Sequence, residues 1–498
     1  MTPRGARRCV IVISPVAFHG QHVLRSCTGG AQWFLGGAGG DIGVIRAVPG
    51  SDPALARPVS RRLSQEVGVE TSTRAQQGRA RPEEGRAPGL VPVLLGGDIG
   101  VYALARCFHE AYRVRPVCIA PHPTEVLTRS SIVRTVALGE RSEPQDYVAA
   151  ALEEARRTPG ARRILMANTD WHIRLINDHR DALEEHFALP VPGPRATAAV
   201  CDKAVFADLC HRLGVHTPET VIQDFAAAQD PDWRPAEVDH LGYPLIAKPA
   251  SSAQYNDLRM PGKKKVFVLQ DPAEASALWE QLRQAGFRGR FLAQELIEGD
   301  DTAMRSLTLY LDSRGRAALT GSARVLLEDH APTMLGNPVA MITEPFAELM
   351  EPAIRLLTHL DYTGFANCDI KVDPRTGRAL FLEINPRIGR NCYYMAAAGR
   401  NPIIPAVRDL VLGREPAPES LEEEVLYSLV PHRLLRRYLL DPSLSRRVGE
   451  LIGQGRTANP LRYRQDRSPR RALVVAAQEL NQYRKFARYY PRPTDSSF

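Results

Sequence analysis

The sequence predicts a mixed fold, α/β in its earlier part and α+β in its later part, with a helical C-terminal extension. Three observations carry this. From Leu90 the texture is strand–helix–strand: Val91–Leu95, then a glycine turn and an apolar-faced helix over Val101–Tyr112, then a strand over Val114–Ala120. That is the opening of a parallel sheet. Two alternating stretches, Ala366–Val372 and Ala379–Asn385, flank Asp373-Pro-Arg-Thr-Gly377 and read as an antiparallel hairpin. Beyond Gly413 the pattern turns helical and basic, over Ser420–Leu440, Leu444–Ile452 and Arg471–Tyr489.

Length and composition bound the class. A chain of 498 residues, 44% hydrophobic and 24% charged, buries a large core divided among two to four domains. No apolar run approaches the ~20 residues needed to cross a bilayer. Residues 9–18 follow three arginines and faintly resemble a leader, but Pro15 interrupts the run, so a cytoplasmic location is expected. Eight cysteines without CxxC spacing argue against a zinc centre or a disulfide framework. The net charge of +8 sits at the two ends of the chain, and a mildly acidic body between them is not a nucleic-acid-binding pattern. Only seven lysines accompany 57 arginines, and six of them lie between 203 and 371. In a chain that uses arginine by default, a retained lysine suggests a compact point charge for phosphate.

Taken in order, residues 1–88 are rich in Gly, Pro, Arg and Ser and are expected to be a disordered extension. Gly96-Gly-Asp-Ile-Gly100 falls short of GxGxxG and reads as a tight turn rather than a dinucleotide site. A helix over Ser142–Arg157 and a strand over Ile164–Ala167 follow, the strand ending at Asn168-Thr-Asp170-Trp171, at a carboxyl end where substrates tend to bind. The proline-rich 190–202 stretch marks a boundary. After it come a helix from Lys203 to Leu213, a strand over Gly242–Pro249 carrying Lys248, and a polar stretch, Ser251–Lys265. Next are a strand over Val266–Leu269, a helix over Pro272–Ala285 and a strand over Phe291–Ile297 ending in Glu298-Gly-Asp-Asp301. Strands over Ser306–Leu311 and Ala317–Ala323, a loop through Pro338 and a helix over Glu344–Leu360 lead into the hairpin. The basic end of the chain reads as a solvated helical cap, or alternatively as a surface drawing anionic substrates or weakly associating with lipid headgroups.

The hairpin carries the chemistry. Period-two geometry puts Glu383 and Asn385 on one face, with Leu382 and Ile384 behind them, and antiparallel pairing can bring Asp369 to the same spot. Two carboxylates and an amide carbonyl are oxygen ligands suited to Mg²⁺, with Mn²⁺ as a substitute. The plain alternative is a hairpin with a solvated polar face.

The ordered set Asp202-Lys203, Pro244-Leu-Ile-Ala-Lys248-Pro, Gln294-Glu-Leu-Ile-Glu-Gly299 and Leu382-Glu-Ile-Asn-Pro-Arg387 resembles the ATP-grasp superfamily, over about residues 90–413. Asp369-Ile-Lys-Val-Asp-Pro-Arg-Thr-Gly377 followed by Glu383-Ile-Asn-Pro-Arg387 is similar to the carboxylate–amine ligases related to D-aspartate ligase. The resemblance implies a Rossmann-like pre-ATP-grasp domain over 89–190, a two-lobed ATP-grasp domain over 191–413 with its lid lobe at about 215–295, and a basic helical extension over 414–498. It implies that Lys203, Lys248 and Lys265 contact ATP phosphates, and that 251–265 covers them. Gln294, Glu295 and Ile297 would line adenine, and Asp301 would accept the ribose hydroxyls, with Glu298 and Asp300 as alternatives. Asp369, Glu383 and Asn385 would hold Mg²⁺. Arg387 and Arg324 would grip the γ-phosphate or the carboxylate, with structural ion pairs as the bland reading of both.

The activity so implied is ATP-dependent amide formation: a carboxylate attacks the γ-phosphate, and an amine displaces phosphate from the acyl phosphate. The substrates expected are an amino acid, D-aspartate-like, and an amine or peptide. An ATP-grasp kinase uses the same nucleotide site and stops at phosphorylation. A non-catalytic nucleotide-binding module would not need all three cation ligands.

Overall fold

The computed structural model describes residues 87–494, apart from 252–254, 256–257, 333, 422 and 467. The expected disordered extension over 1–88 therefore lies outside the described residues, Ala87 and Pro88 excepted.

The first sheet is parallel. Strands β1 (Leu90–Leu95), β2 (Val117–Ala120), β3 (Arg134–Ala137) and β4 (Arg162–Ala167) stand in the order β3-β2-β1-β4. Parallel strands are buried on both faces, and alternation divides them cleanly: Val93, Leu95, Ile119 and Leu165 pack on one side, Leu90, Leu94, Cys118 and Ile164 on the other. Asp98 ends the glycine turn and caps the Ile99–Tyr112 helix, accepting from Val101 N at 3.0 Å.

The second sheet is antiparallel, with order β5-β8-β6-β7, from β5 (Thr220–Asp224), β6 (Leu245–Pro249), β7 (Phe267–Leu269) and β8 (Arg290–Glu295). The Pro272–Gln284 helix covers it through Ala275, Leu278, Trp279 and Leu282, at the spacing of one helical face.

The third sheet holds the hairpin. Its order is β13-β12-β9-β10-β11-β15-β16, built from β9 (Met304–Leu311), β10 (Ala317–Asp329), β11 (Asn337–Thr343), β12 (Gly364–Val372), β13 (Ala379–Asn385), β14 (Glu419–Ser420), β15 (Leu426–Ser428) and β16 (Thr457–Ala458), with β14 beside β10. One face, bearing Leu307, Leu309, Cys368, Ile370 and Ile384, packs on the Ala347–His359 helix. The opposite face bears Tyr310, Ala323 and Phe365 and belongs to the largest core, which also contains Leu426, Tyr427, Leu435, Val448 and Phe486.

Two element expectations are corrected. The loop expected through Pro338 is instead the end of β10, a turn, and β11. The helix expected over Ser420–Leu440 is present only as His432–Tyr438; Leu426–Ser428 is strand β15, paired to β11. Glu and Leu are strong helix formers, but the open edge of β11 takes Leu426–Ser428 as a strand, so tertiary pairing overrides local propensity. The residues beyond Gly413 are thus partly core rather than only a solvated cap. Among the described residues no helix is long and apolar enough to cross a membrane. The six described cysteines are unpaired, and five are buried.

Candidate active site

The register of the hairpin decides what meets. Asp369 stands opposite Glu383 and Asn367 opposite Asn385. Directly paired residues point to the same face, so four polar side chains share one patch. Asn385 Nδ2 donates to Asp369 Oδ2 at 3.0 Å, and Asn367 Nδ2 donates to Asp369 Oδ1 at 3.2 Å. Thr308 on β9 donates to Asn367 Oδ1 at 3.1 Å and fixes that amide. Sequence reasoning missed Asn367, although it sits two residues before Asp369 on the same face.

Two lysines face this patch from other elements. Lys203 opens the Lys203–Arg212 helix, which Asp202 caps by accepting from Ala204 N and Val205 N at 2.9 and 3.1 Å. Its Nζ lies 3.1 Å from Glu383 Oε2. Lys203 N also donates to Ala250 O at 3.2 Å, which ties the helix start to the end of β6, where Lys248 stands. Lys248 has no ion-pair partner among the described residues.

The electrostatics follow from this layout. Lys203 holds the Glu383 carboxyl well below its usual range, and Glu383 in turn raises the Lys203 ammonium. Burial pushes Asp369 up, and the neighbouring Glu383 charge adds to it. Burial and the repulsion of Lys203 bring Lys248 down to about 8. A half-buried lysine beside a second lysine, and a buried carboxylate beside a second carboxylate, are groups that a bound polyanion and a bound cation respectively would stabilise. Asp369, Glu383 and Asn385 are an oxygen donor set that fits Mg²⁺. The set depends on the amide, since among the described residues no three His, Cys, Asp or Glu side chains come together. As placed, Asn385 turns its NH₂ to Asp369 and its carbonyl oxygen to Arg387 Nη2, at 3.1 Å.

Arg387 joins the patch to the residues at the carboxyl ends of β1 and β4. Its Nε donates to Asp170 Oδ1 at 2.7 Å. Arg390 Nε donates to Asp98 Oδ2 at 2.5 Å, and Asn168 Nδ2 donates to Asp98 Oδ1 at 3.2 Å. Burial alone would raise Asp98, but Arg390 and the Val101 amide bring it below the ordinary value. Asn168 Oδ1 and His172 Nε2 are buried and have no partner among the described residues. Both side chains flank Gly96, where an added Cβ would lie 3.7 Å from Asn168 Oδ1 and 3.6 Å from His172 Cε1. Asp98 and Arg390 were missed; Asp98 stands at a strand's carboxyl end, the signal that singled out Asn168–Asp170.

The other expected residues separate. Lys265 is exposed, yet its charge reaches Lys248 and Glu383. The 251–265 stretch lies partly outside the described residues. Gln294 is buried, donating to Thr220 Oγ1 at 2.6 Å. Glu295 accepts from Glu219 N at 3.0 Å, and Ile297 is buried. Asp301 is held inside the fold, with only its Oδ1 left without a partner among the described residues. It is 4% exposed, and its Oδ2 is taken by His330 Nε2 at 2.9 Å and Glu328 N at 2.8 Å. Arg324 does not reach the patch. It pairs with Arg305, which pairs with Ile370, so it lies on the sheet face opposite Asp369. There it makes a two-pronged ion pair with Glu344, at 2.8 and 3.1 Å.

Residues 331–405 match the family of the carbamoyl-phosphate synthase L chain, ATP binding domain. Over 413 residues the chain is 26% identical to the D-aspartate ligase of Enterococcus faecium, covering 80% of this chain and 97% of that one. Similar solved structures include a biotin carboxylase–β,γ-ATP complex from Campylobacter jejuni, 15% identical with a TM-score of 0.48, covering 67% of this chain and 74% of that one. Another is the L-amino acid ligase of Bacillus licheniformis, 13% identical with a TM-score of 0.44, covering 64% and 74%. The chain is thus similar to an ATP-binding domain over residues 331–405 and to a D-aspartate ligase over most of its length.

Proposed function

We propose that the protein is an ATP-dependent carboxylate–amine ligase that joins an amino acid, D-aspartate-like, to an amine or peptide through an acyl phosphate, with release of ADP and phosphate. The observation that carries this is the convergence of Asp369, Glu383 and Asn385 on one sheet face with Lys203 and Lys248 turned toward them. The triphosphate would lie between the lysines and the hairpin, with adenine against Gln294–Ile297. Mg²⁺ held by Asp369, Glu383 and Asn385 would offset charge on the β- and γ-oxygens.

The protein's own residues do the rest. A carboxylate approaching a polyanion is repelled unless cations offset it, and Lys203, Lys248 and Lys265 supply them. Arg387 holds a carboxylate, Asp170, in the present arrangement. An incoming substrate carboxylate would take that place, a two-pronged grip that aims it at the γ-phosphorus. The cluster of Asp98, Asn168, His172 and Arg390 beside it carries both charges and two hydrogen-bonding atoms without a partner among the described residues, chemistry that suits an amino acid. No nucleophilic side chain is needed, because ATP activates the acid.

The test is ADP release by the full chain with Mg·ATP, D-aspartate and a panel of amines and peptides, with products weighed by mass spectrometry. A ligase releases ADP only when both acid and amine are present and forms an amide. ADP release without an amide would mark a phosphotransferase and overturn the proposal.

A further inference from the structure

The basic C-terminal helix has no part in the site described so far. Pro469–Tyr489 is 21 residues long but buries only Arg471, Val475 and Phe486, leaving Leu473 72% and Leu480 64% exposed. It is tethered at three points. Near its start, Arg471 Nη1 donates to Leu461 O at 3.0 Å, and at its middle Glu479 accepts from Arg462 through both oxygens, at 2.8 and 2.7 Å. At its finish, Lys485 Nζ donates to Asp329 Oδ2 at 2.6 Å. Tyr490, just beyond it, lies flat on the His330 ring, with centroids 3.6 Å apart and planes 4° apart.

His330 leads to the linker. Its Nε2 meets Asp301 Oδ2 at 2.9 Å, and the same oxygen accepts from Glu328 N. Asp301 opens the turn that follows β8 and Ile297. That turn has little slack: Gly299 has φ +102°, and a Cβ there would lie 2.9 Å from Ala303 Cβ and 3.5 Å from Pro374. The path of 294–301 is therefore fixed on one side by the hairpin turn and on the other by Asp301 and the ring that Tyr490 covers.

We propose that Tyr490 and Lys485 are positioning residues for the nucleotide linker: the end of the C-terminal helix holds Asp329–His330, His330 holds Asp301, and Asp301 sets the course of 294–301. Neither residue touches nucleotide. The inference rests on the reading that adenine lies against Gln294–Ile297, but the mechanical coupling is testable without it.

The experiment uses full-length Tyr490→Ala, Tyr490→Phe, Lys485→Met and, as a control on another tether of the same helix, Glu479→Gln. Hydrogen exchange over 294–303 and Mg·ADP titration calorimetry are measured on each. Tyr490→Ala is expected to speed exchange over 294–303 and to weaken Mg·ADP about threefold to tenfold, within the usual span of coupling between sites. Lys485→Met is expected to act in the same direction and to serve if Tyr490→Ala does not fold. Tyr490→Phe keeps the stack and should match the wild type, as should Glu479→Gln. Unchanged exchange over 294–303 in Tyr490→Ala and Lys485→Met overturns the proposal, and so does an equal effect of Glu479→Gln. Faster exchange in a protein whose wild type binds no Mg·ADP would uphold the coupling and sink the nucleotide reading.

Discussion

Replacing Lys248 with methionine should stabilise the empty protein and impair its nucleotide binding, two effects of opposite sign. The ammonium is half-buried on β6, has no ion-pair partner among the described residues, and faces the charge of Lys203. Its folded-state value of about 8 lies below the ordinary 10.5. Below pH 8 the group is protonated in both states, and the full cost of holding it charged in the fold is present. At ~1.4 kcal/mol per tenfold this is at most ~3 kcal/mol, and solvent reaching a half-buried group reduces it to about 1–2 kcal/mol. The cost is relieved as pH rises from about 8 to 10.5, because the unfolded chain then binds more protons than the folded one. Lys248→Met should therefore raise the apo melting temperature by about 1–2 °C at pH 7 and abolish the gain in stability on going to pH 10. Losing a charge-assisted contact to phosphate should weaken Mg·ADP by roughly tenfold to a hundredfold. Thermal melts from pH 6 to 10, with and without Mg·ADP, measure both. A variant that melts lower than wild type while binding Mg·ADP as tightly would refute the reasoning.

Further outcomes follow from the same geometry. Glu383→Gln should leave Lys203 without its ion-pair partner, destabilise the protein by about 1–2 kcal/mol after allowance for partial exposure, and remove the Mg²⁺ dependence of ADP binding in calorimetry. Arg324→Gln, on the far face of the sheet, should lower the melting temperature slightly by breaking the Glu344 pair and keep ADP release within about twofold of wild type, since exposed pairs contribute little; a loss of activity beyond tenfold would return Arg324 to the site. Asp301→Asn should cost about 1–3 kcal/mol by weakening two buried hydrogen bonds, visible as a lower denaturant midpoint in the protein without nucleotide.

What was legible in the chain was whatever a short window contains. The hairpin could be read because period-two alternation and a five-residue turn mark its two strands within twenty residues, and observed β13 begins and ends where alternation places it; the bulge between Asp369 and Ile370, which sets Asp369 opposite Glu383 rather than Leu382, is not written in that pattern. Arg324 could not be judged that way. Its face depends on the register of β10 against β9 and of β9 against β12, partners that no local pattern specifies. Asp301 has the spacing of a ribose acceptor, but spacing says nothing of burial, and His330 and Tyr490, which cover it, arrive from distant segments. Leu426–Ser428 has helical neighbours in sequence and a strand edge for a neighbour in space; the edge wins because its unpaired backbone groups gain partners there.

The seam between the parallel sheet and the hairpin carries a further consequence. Two ion pairs cross it, Asp170–Arg387 and Asp98–Arg390, and both arginines lie within five residues of Asn385. Arg387 also holds the carbonyl oxygen of Asn385, the atom a cation would need. Arg387 thus has two anionic claims on it, Asp170 and whatever substrate carboxylate binds beside it, and a third contact to the cation seat. Drawing Arg387 toward a substrate would release Asn385 to turn its oxygen to Asp369. On the proposed reading, acid binding and cation seating would be coupled through one guanidinium, which would make an arginine two residues beyond Asn385 more than another positive charge. Its five donors can serve a carboxylate and an amide together, whereas a lysine's point charge lacks that forked geometry.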